Sequence, residues 1–158
     1  MSNKALLNKK FDKLMVANRG EIAMRIIRAC NELGIQTVAV YSDVDRNAPH
    51  VRYANEAYHI GQPPALESYL NIKKLIDVAK RSGAEAVHPG YGFLSENDDF
   101  VRLCDKNKII FIGPSADSMD LCGDKMKCKA AMLKAVVPTV PGSRGIGNDA
   151  EDAEQNEN

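Results

Sequence analysis

The sequence predicts an α/β fold: a doubly wound parallel sheet with helices on both faces. Short apolar, β-branched segments alternate with amphipathic helical segments from Phe11 to Lys134. The strand-like segments are apolar at successive positions rather than at every second one, as strands covered on both sides require. Glycine or a Gly-Pro pair closes several segments, at Gly34, Gly61 and Gly113-Pro114.

Phe11–Ala17 is a short apolar run and reads as the first strand. Gly20–Leu33 has helical spacing: Ile22, Ile26, Cys30 and Leu33 share a stripe widened by Ala23 and Ile27. Gly34 stands where a helix end needs positive φ. Gln36–Tyr41 is a second strand, Ser42–Pro49 a polar turn region, and Glu56–Ile60 a short third strand. Ser68–Ser82 is the second long helix, with Ile72, Leu75, Ile76 and Ala79 inward and Lys73, Lys74, Asp77, Lys80 and Arg81 in water. Ala84–Val87 is a fourth strand, followed by a glycine-rich loop, His88–Leu94. Ser95 with Asp98 resembles a capping box opening a helix through Asn107. Ile109–Ile112 is a fifth strand. A short helix over Ser115–Cys122 follows, and Asp124 reads as the N-cap of a helix through Lys134. In open sheets of this kind ligands bind beyond the carboxyl ends of the strands. The loops Asn18–Glu21 and His88–Asn97 therefore stand at the functional edge.

The chain has 158 residues and 44% apolar residues, enough for one packed domain. Lys+Arg and Asp+Glu are 21 each, so no global basic excess points to nucleic acid. Residues 147–158 hold five acids (Asp149, Glu151, Asp152, Glu154 and Glu157) and no Lys or Arg, which leaves +5 on residues 1–146 (21 − 16). That mild excess suits an anionic small molecule. The acidic, amide-rich tail over 146–158 cannot bury much apolar surface and is expected to be disordered. No run of about 18 apolar residues suggests a membrane span, and Met1–Lys10 lacks a signal-peptide pattern. Cys30, Cys104, Cys122 and Cys128 form no CxxC pair, and His50, His59 and His88 no HxxxH. Free thiols, buried or half-buried, in a reducing cytoplasm are expected.

Three motifs invite a chemical reading, and each has a plain structural one. The turn Asn18-Arg19-Gly20-Glu21 hands a strand to a helix, where free N–H groups attract an anion or simply accept a cap. The loop His88-Pro-Gly-Tyr-Gly-Phe-Leu-Ser-Glu-Asn97 combines glycines that let a ligand approach with Tyr91, His88, Glu96 and Asn97 as hydrogen-bonding groups. A turn with a satisfied histidine would look the same. Lys125, after Gly123-Asp124, opposes its helix dipole in the first turn, which fits either a phosphate contact or a solvated basic face. Neither GxGxxG after the first strand nor GxxxxGK[ST] occurs, which disfavours NAD and a P-loop.

The segments LMVANRGEIAMRIIRACNELGIQTVAVYSDVDR, ESYLNIKKLI, AVHPGYGFLSEN, IIFIGPS, GDK and VPTVPGS, in this order and spacing, resemble the N-terminal domain of biotin carboxylase. The resemblance runs from Phe11 to Gly145. It implies a pre-ATP-grasp, Rossmann-like domain of an ATP-dependent ligase that carboxylates carrier-protein biotin with bicarbonate and MgATP. It implies that Lys125 approaches the ATP phosphates, that Tyr91 and Gly92 line the biotin pocket, and that Arg25, Arg28 and Glu32 belong to a homodimer surface. The implied partners are a biotin carboxyl carrier protein and a carboxyltransferase serving acetyl-CoA, propionyl-CoA or pyruvate carboxylation.

The sequence departs from the family in two ways. Val136 stands where the family usually has glycine, and a β-branched residue cannot cheaply adopt positive φ. The sequence given ends at Asn158, near where the family's ATP-grasp domain begins. The glycine-rich ATP loop, the carboxylates for Mg²⁺ and the bicarbonate-activating base are therefore expected to be absent, and the chain alone inactive. The alternative is an interaction module, standalone or split, that pairs with an ATP-grasp-containing carboxylase chain. A third reading, the nucleotide-binding domain of an unrelated ligase such as carbamoyl-phosphate synthetase, is disfavoured by HPGYGFLSEN and ANRGEIAMRI.

Overall fold

The computed structural model describes residues 11–139. They fall into two compact units, divided between Ala116 and Asp117.

The first unit is the parallel α/β fold that the sequence pattern predicts. Its strands are β1 (Lys13–Val16), β2 (Gln36–Ser42), β3 (Glu56–Gly61), β4 (Ala86–His88) and β5 (Ile110–Phe111). Its helices are α1 (Gly20–Glu32), α2 (Pro49–Tyr53), α3 (Ile72–Ser82) and α4 (Asp98–Lys106). The five strands lie in the order β3-β2-β1-β4-β5, and every pair is parallel. The chain works outward from β1 to one edge, then returns to add β4 on the other side of β1. That reversal makes the β1/β4 boundary the topological switch point.

Side chains alternate across the sheet, and both faces are buried. Met15 and Ala17 join Val38, Val40 and Val87 under Leu75, Ile76, Val78 and Ala79 of α3 and Phe100 and Cys104 of α4. Leu14, Val16 and Ala86 face the other way, against Ala23, Ile26, Ile27 and Cys30 of α1. A fully buried Leu or Ile side chain contributes about 1.5–3 kcal/mol, so apolar residues at adjacent strand positions are all used.

Several boundaries differ from the sequence expectation. The long second helix begins at Ile72, not Ser68, because Asn71 caps it by accepting from Lys74 N–H at 3.1 Å. Ala65–Glu67 before it form a 3₁₀ turn, and Ser68 and Tyr69 are buried. Ser95 does not cap α4. Asn97 does, accepting from Phe100 N–H at 2.8 Å, while Ser95 N–H turns back to Gly92 O at 2.9 Å. The expected turn region holds a 3₁₀ turn at Asp43–Asp45 and runs into the five-residue α2, too short to show a helical period. Cys30 and Cys104 are buried and Cys128 half-buried, but Cys122 is exposed. Burial pushes the Cys104 thiol up to about 12.

The second unit, described to Thr139, holds α5 (Ala116–Gly123) from its second residue onward and α6 (Lys125–Lys134). Asp124 is the N-cap that the sequence suggests: its Oδ1 accepts from Met126 N–H at 2.9 Å and Lys127 N–H at 3.1 Å. After Ala135, Val136 takes φ +59°. Val136 N–H donates to Leu133 O at 3.1 Å and Val137 N–H to Met132 O at 3.0 Å. This is the Schellman pattern that usually carries glycine. The turn therefore forms in spite of the valine, at a cost in strain. The acidic tail over 146–158 lies outside the described residues.

Val136→Gly should relieve that strain by about 0.5–1 kcal/mol, net of glycine's extra unfolded-state entropy. Exchange of the Val137 amide should slow by roughly 2- to 5-fold. Equal or faster exchange would show that the turn is not strained.

His50 is fully buried. Its Nε2 lies 3.3 Å from Val40 O, so it carries the proton, and its Nδ1 has no hydrogen-bond partner. Burial lowers the His50 pKa, and burial likewise lowers that of His88. The unfolded value is about 6.5. Above it neither histidine costs stability. As pH falls from there toward the folded values, the unfolded chain binds protons that the native chain refuses, and stability declines. Melting temperature should therefore fall on acidification below about pH 6.5, and less steeply in His50→Gln. Identical slopes would exclude His50 as a source.

Candidate functional site

The switch point brings two loops together. Residues 17–21 leave β1 and residues 89–97 leave β4. Ala17 N–H donates to His88 O at 2.9 Å and continues the β1/β4 ladder to the edge of the sheet. Asn18, the next residue, is buried. Its Nδ2 donates to Pro89 O at 2.7 Å and Tyr91 O at 2.8 Å. Its Oδ1 accepts from Arg19 N–H at 2.8 Å. One amide side chain thus fixes the second loop against the first.

Gly90 makes that closeness possible. A Cβ there would sit 2.8 Å from Asn18 Nδ2 and 3.1 Å from Ile22 Cγ1, and the residue has φ +68°. Gly90 N–H donates to His88 Nδ1 at 3.0 Å. An accepting Nδ1 is unprotonated, which agrees with the lowered His88 pKa. His88 is thereby spent on the turn.

Between the loops lies a groove of about 380 Å³ lined by Asn18, Arg19, Gly20, Ile22, Tyr91, Gly92 and Phe93. Tyr91 is 63% exposed, and its hydroxyl makes a long hydrogen bond of 3.5 Å to Glu21 Oε2. Gly92 has open space where a side chain would stand. Arg19 Nη1 pairs with Asp45 Oδ1 at 3.4 Å. Burial pushes the Asp45 carboxyl up, but hydrogen bonds from Tyr69 and Ser42 and the Arg19 guanidinium outweigh it and hold the pKa below the usual range.

The sequence-assigned residues divide between the units. Tyr91 and Gly92 share the groove with the Asn18–Glu21 turn. Lys125 belongs to the second unit, exposed in the first turn of α6. Arg25, Arg28 and Glu32 are exposed on one face of α1, with Arg25 Nε 4.0 Å from Glu21 Oε1. Glu96 is exposed, outside the groove lining, and Asn97 serves as the α4 cap. The sequence pattern singles out neither Asp45, in the polar turn region, nor Tyr69, which falls within the expected helix over Ser68–Ser82 but outside its apolar stripe. Among the described residues no group of His, Cys, Asp and Glu could hold a metal ion, and no helix is long and apolar enough to cross a membrane.

Residues 10–119 match the family described as biotin carboxylase, N-terminal domain. The chain belongs to that family. It is 56% identical over 145 residues to the 2-oxoglutarate carboxylase small subunit of Hydrogenobacter thermophilus, covering 92% of this chain and 30% of the relative. It is 57% identical over 137 residues to the biotin carboxylase of Nostoc sp., covering 87% and 31%. The solved dimer of the Hydrogenobacter biotin carboxylase domain, in complex with MgADP, ADP and bicarbonate, superposes with a TM-score of 0.84 at 55% identity. That likeness covers 93% of this chain and 32% of the other. The chain thus spans about 30% of the length of the curated relatives it matches.

Asn18 is the residue on which this biotin carboxylase N-terminal domain depends for its loop geometry. Asn18→Ala leaves two carbonyls without their donor and should cost about 2 kcal/mol or more in urea unfolding. Asn18→Asp should not rescue it, since a carboxylate cannot donate. A loss under about 0.5 kcal/mol would show that water replaces the amide.

Proposed function

We propose that the chain serves as the N-terminal domain, over residues 11–145, of an ATP-dependent biotin carboxylase that carboxylates carrier-protein biotin with bicarbonate. The observation that carries this reading is the groove built from HPGYGFLSEN and ANRGE, two segments of the family resemblance that lie far apart in sequence. Bound ATP would phosphorylate bicarbonate, and the carboxyl group would pass to biotin. The MgADP and bicarbonate in the Hydrogenobacter structure support these as the ligands.

Tyr91 and Gly92 would face the biotin ring. The charges around the groove are already paired, Arg19 with Asp45 and Glu21 with Arg25. A neutral ureido ring fits such a surface without leaving a charge uncompensated. The exposed Tyr91 offers an aromatic face and a hydroxyl, and the open backbone at Gly92 allows close approach.

Lys125 would approach the ATP phosphates, an anion that offsets its unfavourable place in the first turn of α6. The described residues supply no carboxylate cluster for Mg²⁺. We assign the described residues phosphate and biotin contacts; phosphoryl transfer needs a metal clamp, so residues 11–139 by themselves should not turn over ATP.

The exposed face of Arg25, Arg28 and Glu32 favours a second, compatible reading: this chain pairs through α1 with a copy of itself or with another carboxylase chain. The biotin carboxyl carrier protein and carboxyltransferase would be the further partners, in the cytoplasm.

Retrieval of the tagged chain from its native lysate tests whether it works paired with another chain. Capture of a polypeptide with ATP-grasp sequence is expected if the chain works in an assembly. The two chains together should then carboxylate biotin with ATP, and Lys125→Ala should lower the rate at least tenfold, the scale of one lost charge-assisted phosphate contact. Bicarbonate-dependent ATP hydrolysis by the pure chain that disappears in Lys125→Ala would overturn the assignment of an incomplete site.

A further inference from the structure

One side chain stands behind the groove without lining it. Tyr69, in the chain between the 3₁₀ turn at Ala65–Glu67 and α3, is buried. Its ring stacks on Phe93, with centroids 5.1 Å apart and planes 15° apart. The Arg19 guanidinium lies 5.9 Å from the centroid of the same ring. The Tyr69 hydroxyl donates to Asp45 Oδ2 at 2.7 Å and accepts from Ser42 N–H at 3.1 Å. Asp45 also accepts from Ser42 Oγ at 2.9 Å and pairs with Arg19.

Phe93 and Arg19 both line the groove, one from each loop. Tyr69 therefore touches both walls at once. Phe93 also has φ +41°, a conformation that a side-chain-bearing residue keeps only where its surroundings hold it. The stacked ring of Tyr69 supplies that hold. A buried tyrosine hydroxyl needs a partner, and here that partner is the carboxylate that also pairs with a groove arginine.

We propose that Tyr69 is a positioning residue: its ring fixes Phe93 and the adjoining Tyr91-Gly92 backbone, and its hydroxyl fixes the Asp45–Arg19 pair on the opposite wall. This role rests on the reading of Tyr91 and Gly92 as biotin-facing residues.

The test uses the full chain, with ¹⁵N relaxation and amide exchange as readouts. The Ser95 amide, which donates to Gly92 O, reports on the loop. The Ile110 amide, which donates to Glu85 O, reports on opening of the sheet edge beside β4. Tyr69→Leu removes the ring stack. Ser95 exchange should accelerate roughly 2- to 12-fold, the worth of one aromatic pair, with lower order parameters at Tyr91 and Gly92 and Ile110 unchanged. Tyr69→Phe keeps the stack and should restore the Ser95 rate while the Arg19 Nε–H signal broadens. Parallel acceleration of Ser95 and Ile110, or no change at either, would overturn the positioning role. If Tyr69→Leu does not fold, Phe93→Leu removes the same stack from its half-buried side and is judged by the same two outcomes. Added biotin tests the site reading separately. If Ser95 responds to Tyr69→Leu but biotin shifts neither Tyr91 nor Gly92 in the unsubstituted chain, the biotin assignment fails and the positioning role stands.

Discussion

The groove depends on one pairing: β1 against β4. These strands are 73 residues apart where Asn18 meets Tyr91. Only the return of the chain across the sheet makes them neighbours. Once Val16 is in register with His88, the next residues on each strand must diverge. Asn18 stops that divergence with two hydrogen bonds to carbonyls of the opposite loop. Backbone carbonyls beyond a strand end have no ladder partner, so a buried amide donor there serves the same need as another rung. Gly90 follows from this choice, since no larger residue fits against the amide.

The covering of both sheet faces holds β1 and β4 at the centre. Leu14 and Val16 are committed to α1, and Met15 and Ala17 to α3 and α4. A slip of one residue would exchange these sets and bury Asn18 on the wrong face. Register at the site is therefore determined by packing in the core. The same logic explains the two-residue β5 at the edge: it needs only enough pairing to close the sheet over Phe111.

Much of this was legible in the sequence because it rests on period and composition. The successive apolar positions of β1 and β2 gave a sheet buried on both faces, and the stripe from Ile22 to Cys30 gave α1. The Asn18 and His88–Asn97 loops were placed at the functional edge by topology alone. What escaped were features set by long-range hydrogen bonds. Ser95 looked like a cap, but Asn97, two residues on, accepts the Phe100 amide better placed for the helix that packs on the sheet. Tyr69 lies outside the apolar stripe of α3, and its partner Asp45 sits in a three-residue turn. No periodicity links them, because a hydrogen bond across 24 residues leaves no local pattern. His88 was readable as a possible ligand group, whereas its acceptor bond to Gly90 shows a structural use.

The two units restrain their assigned residues by different means. In the first, Tyr91 and Gly92 are held through the backbone: Asn18 takes the Tyr91 carbonyl, Gly92 turns at φ +66°, and the exposed phenol remains available. In the second, Lys125 is held by the helix that begins with it. Asp124 caps α6 through Met126 and Lys127, and the hydrogen bonds from those amides lower its pKa, so the cap is charged at neutral pH. That carboxylate also offsets part of the repulsion between Lys125 and the helix dipole. An exposed lysine at this position is thus tolerated without a ligand. Both devices leave the side chain proposed to meet a ligand solvent-facing while its backbone is fixed, so binding there would order the side chain and not the backbone.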